Sequence, residues 1–230
     1  LQVDHQVSQR LLLRLGYEER STRRDFVLEP VINPTNTAEG LLLLQNSGRS
    51  RYRELQAVAR FRFQENRNVF LSYVRSQARG NLNDFNTYFG NQKHAVIRPD
   101  EYAKQPYDVP HRLLFWGDFG LPYDVVATPV LDWRSGFPFS LLNEQQDFVG
   151  PRNEGGRFPS LLTFDLLVTK GVTIPFRGKK YKGRAGMTIF NITNHWNPRD
   201  VQNNLAAEQF GTFFNSPGLS VRLKFEFVKY

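Results

Sequence analysis

The residue types that most often perform chemistry are few in this sequence and do not cluster. Four histidines are present: His5, His94, His111 and His195. They lack metal-ligand spacing, and the chain has no cysteine that could complete such a site. The carboxylates Asp100 and Glu101 are more typical of a solvated loop than of acid–base catalysis, and no nucleotide-binding or nucleophile motif occurs. The sequence therefore predicts a protein that is not an enzyme and has no metal ion or cofactor.

Aromatic residues in two long polar segments, near residues 80–110 and 191–217, are better candidates for a binding role. Rings beside amide side chains can stack on sugars or bury a peptide edge, and they can equally pack the segments against each other. Six of them are ligand-binding candidates: Phe85, Tyr88, Phe89, Tyr102, Tyr107 and Trp196.

The formal net charge of +8 raises the question of nucleic-acid binding. However, the basic residues are spread along the whole chain among 22 acidic ones, with one dense run at 177–184. This distribution is typical of charges on solvated faces and turns. We therefore expect no nucleic-acid partner.

A scaffold must position these side chains, and the dominant pattern has a period of two residues. From Leu55 to Phe63 every second residue is apolar, and the residues between are mostly charged or carry an amide. The segment Leu219–Phe227 repeats the pattern. A helix would spread both sets around its circumference, whereas a strand separates them onto two faces. By this pattern we predict about nine strands, with Pro129 requiring a bulge because a closed sheet has no free edge.

The connections between these strands alternate in length. The pattern breaks near residues 8–10, 25–48, 64–68, 80–110, 122–124, 135–159, 171–180 and 191–217, which run short, long, short, long throughout. All long connections then lie at one end of the sheet. This arrangement is typical of an outer-membrane β-barrel and unusual in a soluble β-sandwich.

A transmembrane barrel is consistent with a mean hydropathy of −0.48, since barrel strands place only alternate residues against lipid. No apolar run approaches the roughly 18 residues that a membrane-spanning helix needs. Nine strands, with the first and last both running inward, cannot close a complete barrel of this type. The sequence therefore predicts an all-β, antiparallel transmembrane barrel of which the chain is a part.

Several stretches resemble the C-terminal barrel of TonB-dependent receptors, in particular the Oar-like group that carries a carboxypeptidase-regulatory-like domain. The stretches are Asn46–Leu55 (NSGRSRYREL), Ser72–Gly80 (SYVRSQARG), Trp133–Ser140 (WRSGFPFS), Arg157–Ser160 (RFPS) and Phe190–Pro198 (FNITNHWNP). Each is moderately specific alone, and their order and spacing together carry the resemblance along nearly the whole chain.

The resemblance implies that residues 1–230 are the C-terminal part of one barrel domain of about 22 strands, without the plug and N-terminal regions. It implies uptake of an unidentified ligand across the outer membrane, driven by a TonB-type energy-coupling protein through the missing N-terminal region. Outer-membrane lipid and lipopolysaccharide would surround the barrel. Charged residues of the polar faces would then hold the plug or line a ligand path: Arg60, Arg62, Arg112, Asp118, Asp165 and Arg184.

Two other functions are consistent with the same pattern. A structural or adhesive outer-membrane barrel would use its loops to bind another protein and would import nothing. A soluble carbohydrate-binding β-sandwich would fold in buffer without detergent, although the alternating connection lengths argue against it.

Overall fold

The computed structural model describes residues 1–32, 40–64, 67–83, 88–89, 96–97, 101–176 and 179–227. All regular elements in these ranges are β-strands. The strands are β1 Gln2–Ser8, β2 Leu11–Ile32, β3 Gly40–Gln64, β4 Arg67–Gly80, β5 Tyr88–Phe89, β6 Val96–Ile97, β7 Ala103–Lys104, β8 His111–Gly117, β9 Phe119–Leu121, β10 Val125–Arg134, β11 Pro138–Phe139, β12 Gly156–Arg157, β13 Leu161–Phe176, β14 Lys179–Phe190, β15 Asp200–Val201, β16 Phe213–Phe214 and β17 Ser220–Phe227. None of the described segments forms a helix with the length and apolarity needed to cross a membrane.

Nine long strands form one antiparallel sheet in the order β1-β2-β3-β4-β8-β10-β13-β14-β17, so each pairs with the next along the chain. The short strands β7 and β9 join this sheet at β4 and β10, and β5–β6, β11–β12 and β15–β16 form separate pairs. The nine predicted strands and their antiparallel order are confirmed. Among the described residues β1 and β17 do not pair with each other, so the sheet is open.

The register separates two faces of this sheet. One transverse row of the apolar face contains Val3, Leu15, Ala57, Tyr73, Leu113, Trp133 and Leu162. The apolar face is uncovered by other described parts of the chain, and Leu223, for example, is 85% exposed. The opposite face, which we call the charged face, carries the intervening residues of each strand. The alternation in the sequence therefore corresponds to two chemically different surfaces.

The connections confirm most of the predicted alternation, with one exception. At one end successive strands lie close in sequence: β1 ends at Ser8 and β2 begins at Leu11, β3 ends at Gln64 and β4 begins at Arg67, and β13 ends at Phe176 and β14 begins at Lys179. Residues 122–124, between β9 and β10, lie at the same end. The described parts of the longer connections, residues 81–83, 101–110, 135–160 and 191–219, lie at the other end. The predicted long connection at 25–48 is wrong, because β2 and β3 continue pairing as far as Ile32 opposite Gly40. Residues 41–44 are four consecutive leucines, so this part of β3 lacks the apolar–polar alternation by which the other strands are recognised in the sequence.

The β2–β3 hairpin bends where its ladder shifts register between Arg23 and Val27. Arg24 has a φ of 60°, and a Cβ on Gly48 would lie 2.6 Å from the carbonyl oxygen of Asp25. The backbones therefore approach at a distance that only glycine permits. Beyond the bend, Val27 is 1% exposed.

Two asparagines that follow β4 attach this hairpin to the rest of the sheet. The Oδ1 atom of Asn83 accepts a hydrogen bond from the Leu28 backbone N–H (2.6 Å), and its Nδ2 donates to the Leu28 carbonyl (3.1 Å). Asn81 accepts from the Arg49 N–H through Oδ1 (2.7 Å). Its own N–H donates to the Arg49 carbonyl (3.0 Å). Each asparagine thus makes the backbone hydrogen bonds that a neighbouring strand would otherwise make.

Pro129 lies within β10 without the predicted bulge. Its pairing with Leu166 of β13 continues in unbroken register. On the other side, the ladder to β8 ends at Val130 opposite Trp116 and resumes with β9 at Ala127 opposite Phe119. The interruption opposite proline accommodates the missing N–H donor, so the expected bulge is wrong.

Candidate functional site

The six charged residues predicted from the sequence all lie on the charged face. One transverse row of this face runs through Arg60, Phe70, Trp116, Val130 and Asp165. By register Arg62, Arg112 and Arg184 lie on the same face. Asp118, between β8 and β9, is hydrogen-bonded there to Thr128 of β10.

Some of these side chains are engaged within the sheet. Arg112 donates to both oxygens of Asp132 on the neighbouring strand (3.1 and 2.9 Å), which is the two-pronged geometry that arginine and carboxylate favour. Asp118 accepts a hydrogen bond from the Thr128 hydroxyl (2.7 Å). Such cross-strand pairs align neighbouring strands. Arg60 and Arg62, by contrast, are exposed on the charged face.

A cavity of about 510 Å³ lies on the charged face, at the end of β10, β13, β14 and β17 that carries the long connections. We call it the mouth cavity. Its cationic side chains are Arg134, Arg199 and Arg222, its aromatic ones are Phe137, Phe158 and Phe190, and its carboxylate is Asp165. The cavity therefore combines positive charge with aromatic surface.

Two buried asparagines shape the floor of the mouth cavity. The Asn197 side chain pairs with the Leu162 backbone, accepting from its N–H and donating to its carbonyl, both at 2.9 Å. The Asn191 N–H donates to Asp165 (2.7 Å), and its amide donates to the His195 carbonyl (2.9 Å). Both asparagines are 5% exposed. The connection after β14 is thus fixed to the start of β13 by side-chain amides.

The charge in the mouth cavity is not balanced by the lining. Arg134 lies over the Phe137 ring and Arg222 over the Phe190 ring, each at 5.1 Å from the ring centroid. Within the described ranges neither guanidinium forms an ion pair, and the buried Nε of Arg134 makes no hydrogen bond. The cavity can therefore bind an anionic group beside an apolar or aromatic one.

A second cluster holds the long connections against each other. Arg152 is 0% exposed and donates to the carbonyls of Leu82 (2.9 Å), Gly80 (3.1 Å) and Glu101 (3.3 Å). The neighbouring Asn153 donates to the Lys104 carbonyl (2.8 Å). Buried polar groups of this kind satisfy loop carbonyls that no strand reaches.

An ion pair between Arg157 and Asp108 continues this cluster. Asp108 is 2% exposed and also accepts a hydrogen bond from the Ala78 N–H (2.6 Å). Sequence periodicity cannot identify these residues, because their partners lie on other connections. In the sequence, only the family resemblance of the stretch Arg157–Ser160 points to this region.

The aromatic loop candidates are not gathered at the mouth cavity. Phe85 lies outside the described residues, and only the backbone of Tyr88 and Phe89 is described. The ring of Tyr102 lies 4.7 Å from the Arg49 guanidinium, beside the β2–β3 hairpin. Tyr107 and Trp196 are 56% and 51% exposed, and neither lines the mouth cavity. The rings that line it, Phe137, Phe158 and Phe190, were not selected from the sequence.

Within the described residues, no group of three histidine, cysteine, aspartate or glutamate side chains is placed to hold a metal ion. The features that these residues do assemble are a cationic cavity, a charged face and an apolar face. Of these three features, the cationic cavity is the one suited to binding a small anionic ligand.

The nine-stranded antiparallel sheet, with one apolar and one charged face, is consistent with part of a β-barrel. The fold is similar to that in the crystal structure of the outer membrane transporter YddB from Escherichia coli, with a TM-score of 0.63 and 12% sequence identity over 98% of this chain. The chain spans 31% of the length of that transporter chain. No family model and no curated protein matches the sequence. At this identity the similarity establishes the fold.

Proposed function

We propose that the chain forms part of the wall of an outer-membrane transporter that takes up a ligand through a TonB-type energy-coupling protein. The observation that carries this proposal is the pairing of an uncovered apolar face with a charged face that contains the mouth cavity. Lipid would cover the apolar face, and the charged face would line the interior, where the polar groups remain hydrated.

The length of the central strand β10 supports this placement. β10 has 10 residues, which matches the roughly 9–11 residues that a tilted strand needs to cross the hydrocarbon core. Its outward positions include Leu131 and Trp133, whereas Asp132 and Arg134 point to the charged face. In a soluble sandwich a second sheet would have to cover Leu223 and its neighbours, and the described residues contain no second large sheet.

In this orientation the long connections and the mouth cavity face the outside of the cell. A ligand would bind there first and would then move along the charged face, past Asp165 and Arg60. Import would require the rest of the polypeptide, including the plug and the segment that contacts the coupling protein, because this chain corresponds to 31% of the transporter that it resembles in fold.

Site-specific labelling of the full-length protein in intact cells tests the placement. The 230-residue chain has no cysteine, so single cysteines can be introduced at Tyr107 in a long connection, Leu223 on the apolar face and Thr188 on the charged face. A membrane-impermeant maleimide should label Tyr107→Cys readily and should not label Leu223→Cys until detergent replaces lipid. Equal labelling of Tyr107→Cys and Leu223→Cys in intact cells would refute the membrane placement.

Energy coupling is tested separately by binding the purified full-length protein to an immobilised periplasmic domain of the TonB-type protein. Retention that is lost when the N-terminal coupling segment is deleted supports transport. A barrel that is heat-modifiable on gels but is never retained would instead be the structural or adhesive barrel, with loops that bind another protein.

A further inference from the structure

We propose that the apolar face carries a binding site for the phosphate group of an anionic lipid, at the level of the outer-leaflet headgroups; this proposal rests on the membrane placement argued above. The site lies on β3, β4, β7 and β8, where the apolar rows give way to cations. Its central residues are Arg53, Arg75 and Lys104.

The register locates the site relative to the apolar belt. The last uniformly apolar row passes through Ala57, Tyr73 and Leu113. One step toward the long connections, Leu55 faces Arg75, and Arg75 faces His111. The next steps bring Arg53 opposite Gln77 and Arg51 opposite Arg79, which pairs with Lys104. Along β3 and β4, this face thus changes from apolar to cationic side chains within two residues, from Leu55 to Arg53 and from Tyr73 to Arg75.

The cations on this surface outnumber the carboxylates. Glu19 is shared by Arg51, through Nε at 2.7 Å, and Arg53, through Nε at 3.5 Å. Glu154 is likewise shared, between Arg79 at 3.4 Å and Lys104. Neither carboxylate can neutralise two partners.

Arg75 adds a further uncompensated charge. Its side chain is exposed and has no ion pair within the described ranges, and the buried Nε of Arg53 makes no hydrogen bond there. Guanidinium N–H groups without a hydrogen-bond acceptor can donate to the several oxygens of a phosphate group.

The same residues line a recess of about 380 Å³. It forms where β8 begins at His111 beside β4, and Pro110 and Asp108 are among the residues that line it. Tyr17 and Leu55 form its apolar margin, and Arg53, Arg75 and Lys104 line the polar part. Glu54 also lines the recess, and its carboxylate accepts a hydrogen bond from the Tyr52 hydroxyl. Asp108 is already paired with Arg157 and does not cancel these charges.

The position of the recess favours a lipid over a soluble anion. An anion from solution would meet cations equally well on the charged face, where Arg60 and Arg62 are exposed. At the recess, an acyl chain could lie along Leu55 and Tyr73 while the phosphate meets Arg53 and Arg75. Basic clusters beside a hydrocarbon surface bind anionic headgroups for this reason.

The test uses the full-length protein purified in mild detergent and titrated with diphosphoryl lipid A or its dephosphorylated counterpart, with bound lipid measured by native mass spectrometry. The double variant Arg53→Gln/Arg75→Gln should bind diphosphoryl lipid A at least roughly tenfold more weakly. The matched control, Arg60→Gln/Arg62→Gln on the charged face, should bind it like the wild type. Dephosphorylation of the lipid should weaken wild-type binding to the level of the double variant.

Three outcomes would overturn the proposal. Unchanged binding in the double variant would exclude the recess, and equal binding of the dephosphorylated lipid would exclude phosphate recognition. Competition by inorganic phosphate at concentrations equal to those of the lipid would identify a soluble-anion site. Heat-dependent gel mobility of each variant verifies folding, and its absence in the wild type would refute the membrane placement and not the recess alone.

Discussion

The β2–β3 hairpin and the long connections stand at the same end of the sheet but are held by different interactions. The hairpin continues the ladder of backbone hydrogen bonds from Leu11 to Ile32, and it exposes Leu42, Leu43 and Leu44. The connections at 101–110 and 135–160 have little ladder, and their carbonyls are satisfied by buried side chains such as Arg152.

This difference determines which substitutions destabilise each region. A ladder distributes its stabilisation over many equivalent backbone bonds, so a single exposed side chain contributes little. A buried polar side chain that serves several carbonyls has no substitute, because removing it leaves each carbonyl without a partner. We therefore expect the hairpin to be sensitive to changes in its backbone and the connections to be sensitive to changes in their buried polar side chains.

The largest effect is expected for Arg152→Met. Its guanidinium donates to three carbonyls of the described residues, and leaving these carbonyls without partners should lower the free energy of unfolding by about 3 kcal/mol. The temperature of the heat-dependent mobility shift and trypsin cleavage within 135–160 provide the measurement. The matched control is Arg23→Met on the hairpin, which is exposed. Equal shifts in the two variants would contradict the comparison.

A smaller effect is expected for Asn197→Asp. A carboxylate can still accept from the Leu162 N–H, but it cannot donate to the Leu162 carbonyl, so destabilisation of about 2 kcal/mol should follow. Protease protection of 191–219 should fall. Asn46→Asp, at an exposed hairpin position, should leave protection unchanged, and a loss there would show that hairpin side chains also matter.

Gly48→Ala changes the hairpin backbone and not an exposed side chain, so it should destabilise the hairpin locally. The added methyl would lie 2.6 Å from the Asp25 carbonyl, and relief of that contact should cost about 1–3 kcal/mol. We expect cleavage at the bend to increase while the mobility-shift temperature changes little. Gly16→Ala, whose nearest neighbour would be 3.9 Å away, is the control. Loss of the mobility shift in Gly48→Ala would mean that hairpin and wall unfold together.

The smallest effect concerns pH. Burial and then the hydrogen bond to Glu54 raise the pKa of Tyr52, beyond the apolar rows, to about 12. Because the folded value exceeds that of the unfolded chain, this contribution to stability is fully present below about pH 10 and is lost as pH rises through 12. The phenolate absorbance of wild type minus Tyr52→Phe should appear only near pH 12. Its appearance near pH 10 would refute the assigned environment.

The nine-stranded sheet could be predicted from the sequence because its faces follow a period of two. The set that contains Arg112 and Asp165 was placed on one face, and it lies there. The extension of β2 and β3 was missed because four consecutive leucines show no alternation. The period reports which face a residue occupies, and it is silent where both faces are apolar.

The mouth cavity could not be predicted in the same way. Arg222 belonged to the polar set of its strand, yet nothing local indicates that it shares a cavity with Arg134 and Phe137. Their proximity depends on how two connections, 135–160 and 191–219, fold back over the end of the sheet. Asparagine–backbone pairs fix part of those paths. Such pairs have no periodic signature.

The asparagine pairs also solve a problem that alternation leaves open. A strand that slips by two residues keeps every side chain on its proper face, so the two-faced pattern selects parity and not position. Asn83 on Leu28 and Asn197 on Leu162 each fit one backbone residue, and a slipped strand would abandon the match. The alternation of leucines and arginines therefore gives the sheet its two faces. The two asparagine pairs fix the register at Leu28 and Leu162, which alternation alone leaves undetermined.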